Sequence, residues 1–248
     1  GRIISEGEET IQLAIQSRQS SISIQIWKEY TDQIEISIIN PSGVRVGPVP
    51  EILGPHRFRI GQTEILLYYG EPSPYSISQE IYIDLLPVES YLTEGIWRIV
   101  LSAGKIVTGQ YEMWLPSDNV LNRGTGFLFP TDATTLTIPS SASRAISVGA
   151  YDARTFAYAD FSGRGFTRLT NMVKPDLVAP GVEVMTTTVG GGYAAFTGTS
   201  FATPFVTGSA ALLMEWGIVR GNDPFLYGEK VKAYFLSLIH ISEPTRRS

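Results

Sequence analysis

The sequence predicts two architectures in tandem, an all-β sandwich followed by part of an α/β domain. Three observations carry this. Residues 9–115 alternate polar and apolar side chains with period two, in short runs parted by turn residues. From about Gly126 the runs become short and continuously apolar, bounded by glycine and proline, as in strands covered on both faces. A helical run of roughly 17 residues, from Ser200 to Trp216, then closes the pattern with small and apolar side chains.

In order along the chain, Ser21–Trp27 and Gln33–Ile38 each set isoleucines on one face, and the runs Glu64–Tyr69, Glu80–Leu86, Ile96–Leu101 and Ile106–Trp114 have the same character. Asn40-Pro41-Ser42-Gly43, Gly70-Glu71-Pro72 and Ser102-Ala103-Gly104-Lys105 supply turns. The count is roughly seven or eight strands with no helical period, an antiparallel sandwich. Pro116, Asp118, Asn119, Asn122, Gly124 and Gly126 mark a linker. Beyond it, Ala145–Ala150 and Leu177–Ala179 are the buried strands, and a second helix spans Glu229–Leu236. The expected divisions are therefore 1–125, 126–236, and a tail, 237–248, that fits neither half and is expected to be foreign to the protein.

The chain has 248 residues, 43% of them hydrophobic, enough for one large domain or two small ones. A net charge of −5 argues against a nucleic-acid partner. No apolar run approaches the length of a membrane span, so none is expected. The absence of cysteine excludes disulfides, thiolate metal sites and a cysteine nucleophile. Gly1 is no initiator residue, and the chain is expected to begin within a longer protein.

Gly198-Thr199-Ser200-Phe201-Ala202-Thr203-Pro204 opens the long helix. A small-residue turn there delivers a serine to the first helical turn, where unpaired N–H groups and the dipole favour a developing oxyanion. Pro204 reads as an early helical position, where its missing N–H is no loss. The plainer reading makes Ser200 a helix N-cap, and Gly198 and Thr199 merely the small residues of a tight turn.

The set Ser147-Val148-Gly149-Ala150, Phe161-Ser162-Gly163-Arg164-Gly165, Lys174-Pro175-Asp176-Leu177-Val178-Ala179-Pro180-Gly181 and Gly198–Pro204 resembles, in order, the C-terminal half of a subtilisin-like serine peptidase. A sandwich ahead of the serine half resembles the clostridial Csp-type subtilases, in which a jelly roll is inserted between the histidine-bearing and serine-bearing parts. The resemblance implies an α/β subtilase fold preceded by a jelly-roll insertion and a serine endopeptidase acting through an acyl-enzyme. Ser200 would be the nucleophile, with its own N–H, Gly198 and Thr199 at the oxyanion and substrate site. It implies protein or peptide substrates, and for the Csp-type group a cortex-lytic zymogen in spore germination. It implies no cofactor and no metal ligand here, and a spore-associated, secreted or envelope location by analogy. The triad aspartate, histidine and the oxyanion asparagine would all precede residue 1. The histidines present, His56 and His240, occupy no family position, and a serine without a base is a poor nucleophile. The chain by itself is therefore expected to be inactive.

Two rivals stay open: a catalytically dead sensor or regulator, and a peptidase whose sandwich is a carbohydrate-binding module. Lys174-Pro175-Asp176 reads as framework, with Asp176 outside family triad order. By the resemblance, Ile138-Pro139 is a candidate cis bond near the specificity pocket. Gly190-Gly191-Gly192-Tyr193 reads as a hairpin turn. Asp32, Glu35, Asp84 and Glu112 form no calcium-loop spacing. Trp27, Tyr68, Tyr69, Trp97 and Trp114 are expected to fill the core or pack between domains rather than to bind sugar.

Overall fold

The computed structural model describes residues 1–117, 120–131, 133–167 and 170–238. The expected linker residues Asp118 and Asn119, and positions 239–248 of the expected tail with His240, lie outside the described residues. The chain divides into two compact units, Gly1–Pro130 and Thr131–Ser248.

The described residues of the first unit form ten strands: β1 (Glu8–Ile15), β2 (Ile22–Glu29), β3 (Ile34–Ile39), β4 (Arg45–Val49), β5 (Gly54–Ile60), β6 (Thr63–Tyr69), β7 (Ser78–Pro87), β8 (Gly95–Ala103), β9 (Tyr111–Trp114) and β10 (Gly126–Phe127). They form two five-stranded antiparallel sheets, β10-β1-β8-β3-β4 and β5-β6-β7-β2-β9. Period-two alternation sends one side of every long strand inward. Ile22, Ile24 and Ile26 of β2, Ile34 and Ile36 of β3, Ile65 and Leu67 of β6, and Ile81 and Ile83 of β7 are fully buried in one shared core. Each such side chain contributes about 1.5–3 kcal/mol by leaving water.

Four strands lie outside the runs read from the sequence, β1, β4, β5 and β10, and two of these, β4 and β5, do so for a physical reason. β4 contains Gly47 and Pro48, and β5 contains Pro55, Arg57 and Arg59, so neither reads as apolar. Both are edge strands, where proline and outward arginines are tolerated and block further pairing. The expected run Ile106–Trp114 is a strand only from Tyr111. The fully buried Asp32 carboxylate accepts the N–H groups of Val107 (2.6 Å), Thr108 (2.9 Å) and Gly109 (2.8 Å), taking them out of the ladder. Burial opposes ionisation of Asp32, but those three bonds outweigh it and hold its carboxyl below the usual range. β10 pairs with Leu13 and Ala14 of β1, so the first unit extends past the expected break at 125.

The second unit has β11 (Val148–Asp152), β12 (Ala157–Tyr158), β13 (Gly165–Phe166), β14 (Val173–Lys174), β15 (Leu177–Pro180), β16 (Val184–Thr187) and β17 (Tyr193–Phe196). These are followed by α1 (Thr199–Met214), a π-helical turn (Glu215–Val219) and α2 (Gly228–Leu238). β11 and β15 are parallel and flanked by β12, while β13–β14 and β16–β17 are hairpins. Gly190, Gly191 and Gly192 turn the second hairpin at positive φ, as expected.

α1 approaches the sheet closely because the contact is built of alanines: Ala202 packs with Ala150, Ala159 and Ala179. The expectation of strands covered on both faces fails at β15, where Val178 is 48% exposed. α1 is likewise open on its outer side, with Leu212 68% exposed. The helical stretch Thr199–Val219 has a length and composition that would let it cross a membrane, which single helices of soluble proteins also reach. Serine, threonine and glycine break up its apolar runs, and Glu215 is its one charge. Ser237 and Leu238, assigned to the tail, continue α2.

Candidate active site

The site begins with backbone geometry. β17 leads into Thr197 and Gly198, whose N–H donates to the carbonyl of Gly181 (2.8 Å). The Thr197 hydroxyl accepts the N–H of Glu183 (3.0 Å). Gly198 has φ 154°, a conformation glycine adopts freely and L side chains rarely do. It is the N-cap of α1, so the plainer reading of Ser200 as the cap is corrected: Ser200 is the second helical residue.

Gly181 is glycine because space demands it. A Cβ there would stand 2.5 Å from the Ala150 Cβ and 3.1 Å from the Gly198 carbonyl oxygen. Gly181→Ala must therefore shift the loop that carries Gly198. The expected cost is about 1–3 kcal/mol of overpacking, read as an earlier urea midpoint at unchanged slope.

Ser200 is exposed at the start of the helix, and its neighbours fix it. Ala202 is fully buried in the alanine contact, and Phe201 stacks on Phe196 with ring centroids 5.3 Å apart. The Thr203 hydroxyl donates to the Thr199 carbonyl (3.0 Å). Pro204 is the sixth helical residue, not an early one, so it supplies no N–H to the Ser200 carbonyl one turn back. Among the described residues no side chain caps the helix start, and no acidic residue lies in its first turn. The Ser200 N–H is thus one of the unpaired amides at the positive dipole end, suited to an oxygen that gains negative charge. Gly198, Thr199 and Ser200 are brought together as one turn.

The other motifs are framework. Asp176 Oδ2 accepts from Lys174 Nζ (2.6 Å) and the Ser147 N–H (2.8 Å), and Asp176 Oδ1 pairs with Lys232 Nζ (2.9 Å). Both lysines also donate to the Ala145 carbonyl. Burial opposes ionisation of Asp176, but Lys174, the Ser147 N–H and Lys232 outweigh it and hold its carboxyl below the usual range. Burial pushes the Lys174 ammonium down despite Asp176. These contacts occupy residues 145–147, so β11 starts at Val148 rather than Ala145. Ser162 Oγ accepts the Ala150 N–H (2.9 Å) and donates to Tyr158 OH (3.0 Å), which donates to the Gly163 carbonyl (2.8 Å). Ile138-Pro139 is cis, as are Gly47-Pro48 and Lys174-Pro175.

His56 sits on β5 in the first unit, its Nε2 2.8 Å from the Ile52 carbonyl, with its ring beside Phe58 and Tyr69. Sequence reasoning missed Lys232 and the steric role of Gly181. Lys232 is 56 positions from Asp176 and carries no local signal, whereas Pro180-Gly181 ending a buried strand was a signal for close approach.

Comparison with known proteins places this geometry. The chain is 37% identical, over 98 residues, to the intracellular serine protease of Paenibacillus polymyxa, covering 38% of this chain and 28% of that protein. It is 34% identical, over 121 residues, to the serine protease AprX of Bacillus subtilis, covering 41% of this chain and 26% of that one. The structure of the CspB protease of Clostridium perfringens superposes with a TM-score of 0.85 at 37% identity, covering 94% of this chain and 48% of that chain. The chain thus spans about a quarter of these curated relatives and about half of the CspB protease. The subtilase family profile matches residues 98–235, more than half of the chain and the whole Gly198–Ser200 turn, so the chain belongs to the subtilase family of peptidases.

Proposed function

We propose that this chain supplies the nucleophile half of a serine endopeptidase, with Ser200 attacking the peptide carbonyl to form an acyl-enzyme. The observation that carries this is the exposed Ser200 at the uncapped start of α1, held by the glycine turn within a subtilase match. In this reading the Ser200 N–H stabilises the oxyanion, and Gly198 and Thr199 shape the turn against which substrate lies. Activation of the hydroxyl needs a base. The base, its aspartate and the oxyanion asparagine are assigned to a part of the protein outside these 248 residues. The one histidine among the described residues, His56, is engaged within the sandwich, and this chain covers only 48% of the CspB protease.

The first unit is read as a jelly-roll insertion, corresponding to the expected segment 1–125 and followed by the subtilase segment 126–236. Nested pairings of β1 with β8 and β2 with β7, in face-to-face sheets sharing one core, support that reading. Likeness to the CspB protease across both units supports a Csp-type parent, for which a cortex-lytic zymogen is the proposed substrate. Positions 237–248 keep their reading as sequence foreign to the protein.

The test compares the 248-residue chain with the protein carrying the adjoining upstream sequence, on a casein substrate. Hydrolysis by the longer protein alone is expected. A folded longer protein that hydrolyses nothing would make the chain part of a regulatory pseudoprotease.

A further inference from the structure

The expectation for the five aromatic residues divides in two. Tyr69 and Trp97 are fully buried in the sandwich core. Trp27, Tyr68 and Trp114 alternate with core residues and so lie on the opposite, outer face of the sheet β5-β6-β7-β2-β9, together with Tyr82. Tyr68 is 39% exposed and the other three are part-exposed.

The register aligns them. Pro55 pairs with Tyr68, Tyr68 with Tyr82, Tyr82 with Gln25, and Gln25 with Trp114, one uncharged row across all five strands. Directly opposed residues on neighbouring antiparallel strands share a face, so the row is continuous. On one side of it Trp27 stands between Glu80 and Glu112. On the other, Arg57, Leu66, Asp84 and Ser23 form the next row, with Arg57 paired to Glu64 (2.9 Å). Gln25 Nε2 donates to Glu80 Oε1 (3.1 Å), and Ser23 Oγ donates to Asp84 Oδ1 (2.6 Å), so the Glu80 and Asp84 carboxylates are held in place by their neighbours.

We propose that this outer face binds a neutral β-1,4-linked hexose polymer, laid along the Tyr68–Tyr82–Gln25–Trp114 row. Strands about 4.8 Å apart put roughly 14 Å between Tyr68 and Trp114, the reach of about three pyranose units. Pyranose rings with equatorial hydroxyls present apolar C–H faces that stack on aromatic rings, and hydroxyl donors at their edges. The row supplies the first complement and Glu80, Glu112 and Asp84 the second. The same carboxylates repel polyanions such as nucleic acids and sulfated glycans. A proline-rich peptide instead presents carbonyl acceptors, which ask for donors, and a groove, where this sheet offers a row whose flanking cation, Arg57, is paired with Glu64 (2.9 Å). The assignment is independent of Ser200 and its chemistry.

The experiment titrates the 248-residue chain with chitohexaose and with cellohexaose by calorimetry, alongside poly-L-proline and heparin. Saturable binding of at least one hexasaccharide is expected, with no response to poly-L-proline or heparin. Tyr68→Ala with Tyr82→Ala is expected to weaken it by about tenfold or more, and Tyr68→Phe by less than about twofold, because stacking survives loss of the hydroxyl. Should the double variant fail to fold, saturation-transfer NMR on the unsubstituted chain must show transfer from aromatic protons to the sugar C–H protons. The assignment is overturned by the absence of saturable binding at about 10 mM of either sugar. It is also overturned by affinity that the double variant leaves unchanged, by absence of aromatic-to-sugar transfer, or by poly-L-proline binding where the sugars do not.

Discussion

Ser200→Ala, made in the protein that joins this chain to the upstream catalytic groups proposed above, is expected to lower kcat by about a millionfold and to leave KM within about threefold. The scale is that established for subtilisin, where losing the nucleophile costs as much as losing the triad as a unit and only oxyanion and binding contributions remain. The loss is confined to chemistry because Ser200 is exposed and the turn is held by other groups: Gly198 bonded to Gly181, and Ala202 buried against Ala150. Thermal unfolding of the variant should therefore match the parent to within about 0.5 kcal/mol. A fall in kcat with a matching fall in stability would mean that the residue supports the turn rather than reacting. Pre-steady-state kinetics separate the cases further, since the parent should show an acylation burst and the variant none.

Asp176→Ala carries the largest expected effect on stability. Lys174 is fully buried and Lys232 nearly so, and both rely on this carboxylate. Removing it leaves two buried cations and the Ser147 N–H without their partner, a change that costs about 3–5 kcal/mol. Urea unfolding followed by the fluorescence of Trp216 reads the second unit, because the other tryptophans lie in the first. The same group sets an acid limit. Its pKa is depressed in the folded state, so its stabilisation is fully present above the unfolded value of about 3.9 and is lost as pH falls through the lower folded value. The parent should therefore lose second-unit stability below about pH 4, and Asp176→Ala should be less stable at neutral pH but flatter in that window. Equal acid sensitivity of the two proteins would remove Asp176 from the account.

What the sequence made legible follows the period of its side chains. The Ile-rich alternation of β2 and β3 announces strands because one face is buried and the other is not. β4 and β5 hide because edge strands can hold proline and arginine without losing a ladder partner. The serine turn was legible because glycine, threonine and serine at a helix start satisfy several physical demands at once. The helix boundary was not: Pro204 reads as a start signal, yet the helix begins five residues earlier, where Gly198 turns the chain. Long-range electrostatics left no trace either. Asp32 halts a strand 75 residues away through three backbone N–H groups, and nothing around Val107 announces it. The aromatic row on the outer sheet became visible only once register set Tyr68, Tyr82 and Trp114 side by side.

The most direct measurement treats both the 248-residue chain and the longer protein with a fluorophosphonate and locates the adduct by peptide mass spectrometry. One phosphonyl group per longer molecule is expected, on Ser200, and none on the isolated chain, in which Ser200 is read as lacking its base. An adduct on any other serine, or a folded longer protein that takes up no label, would contradict it.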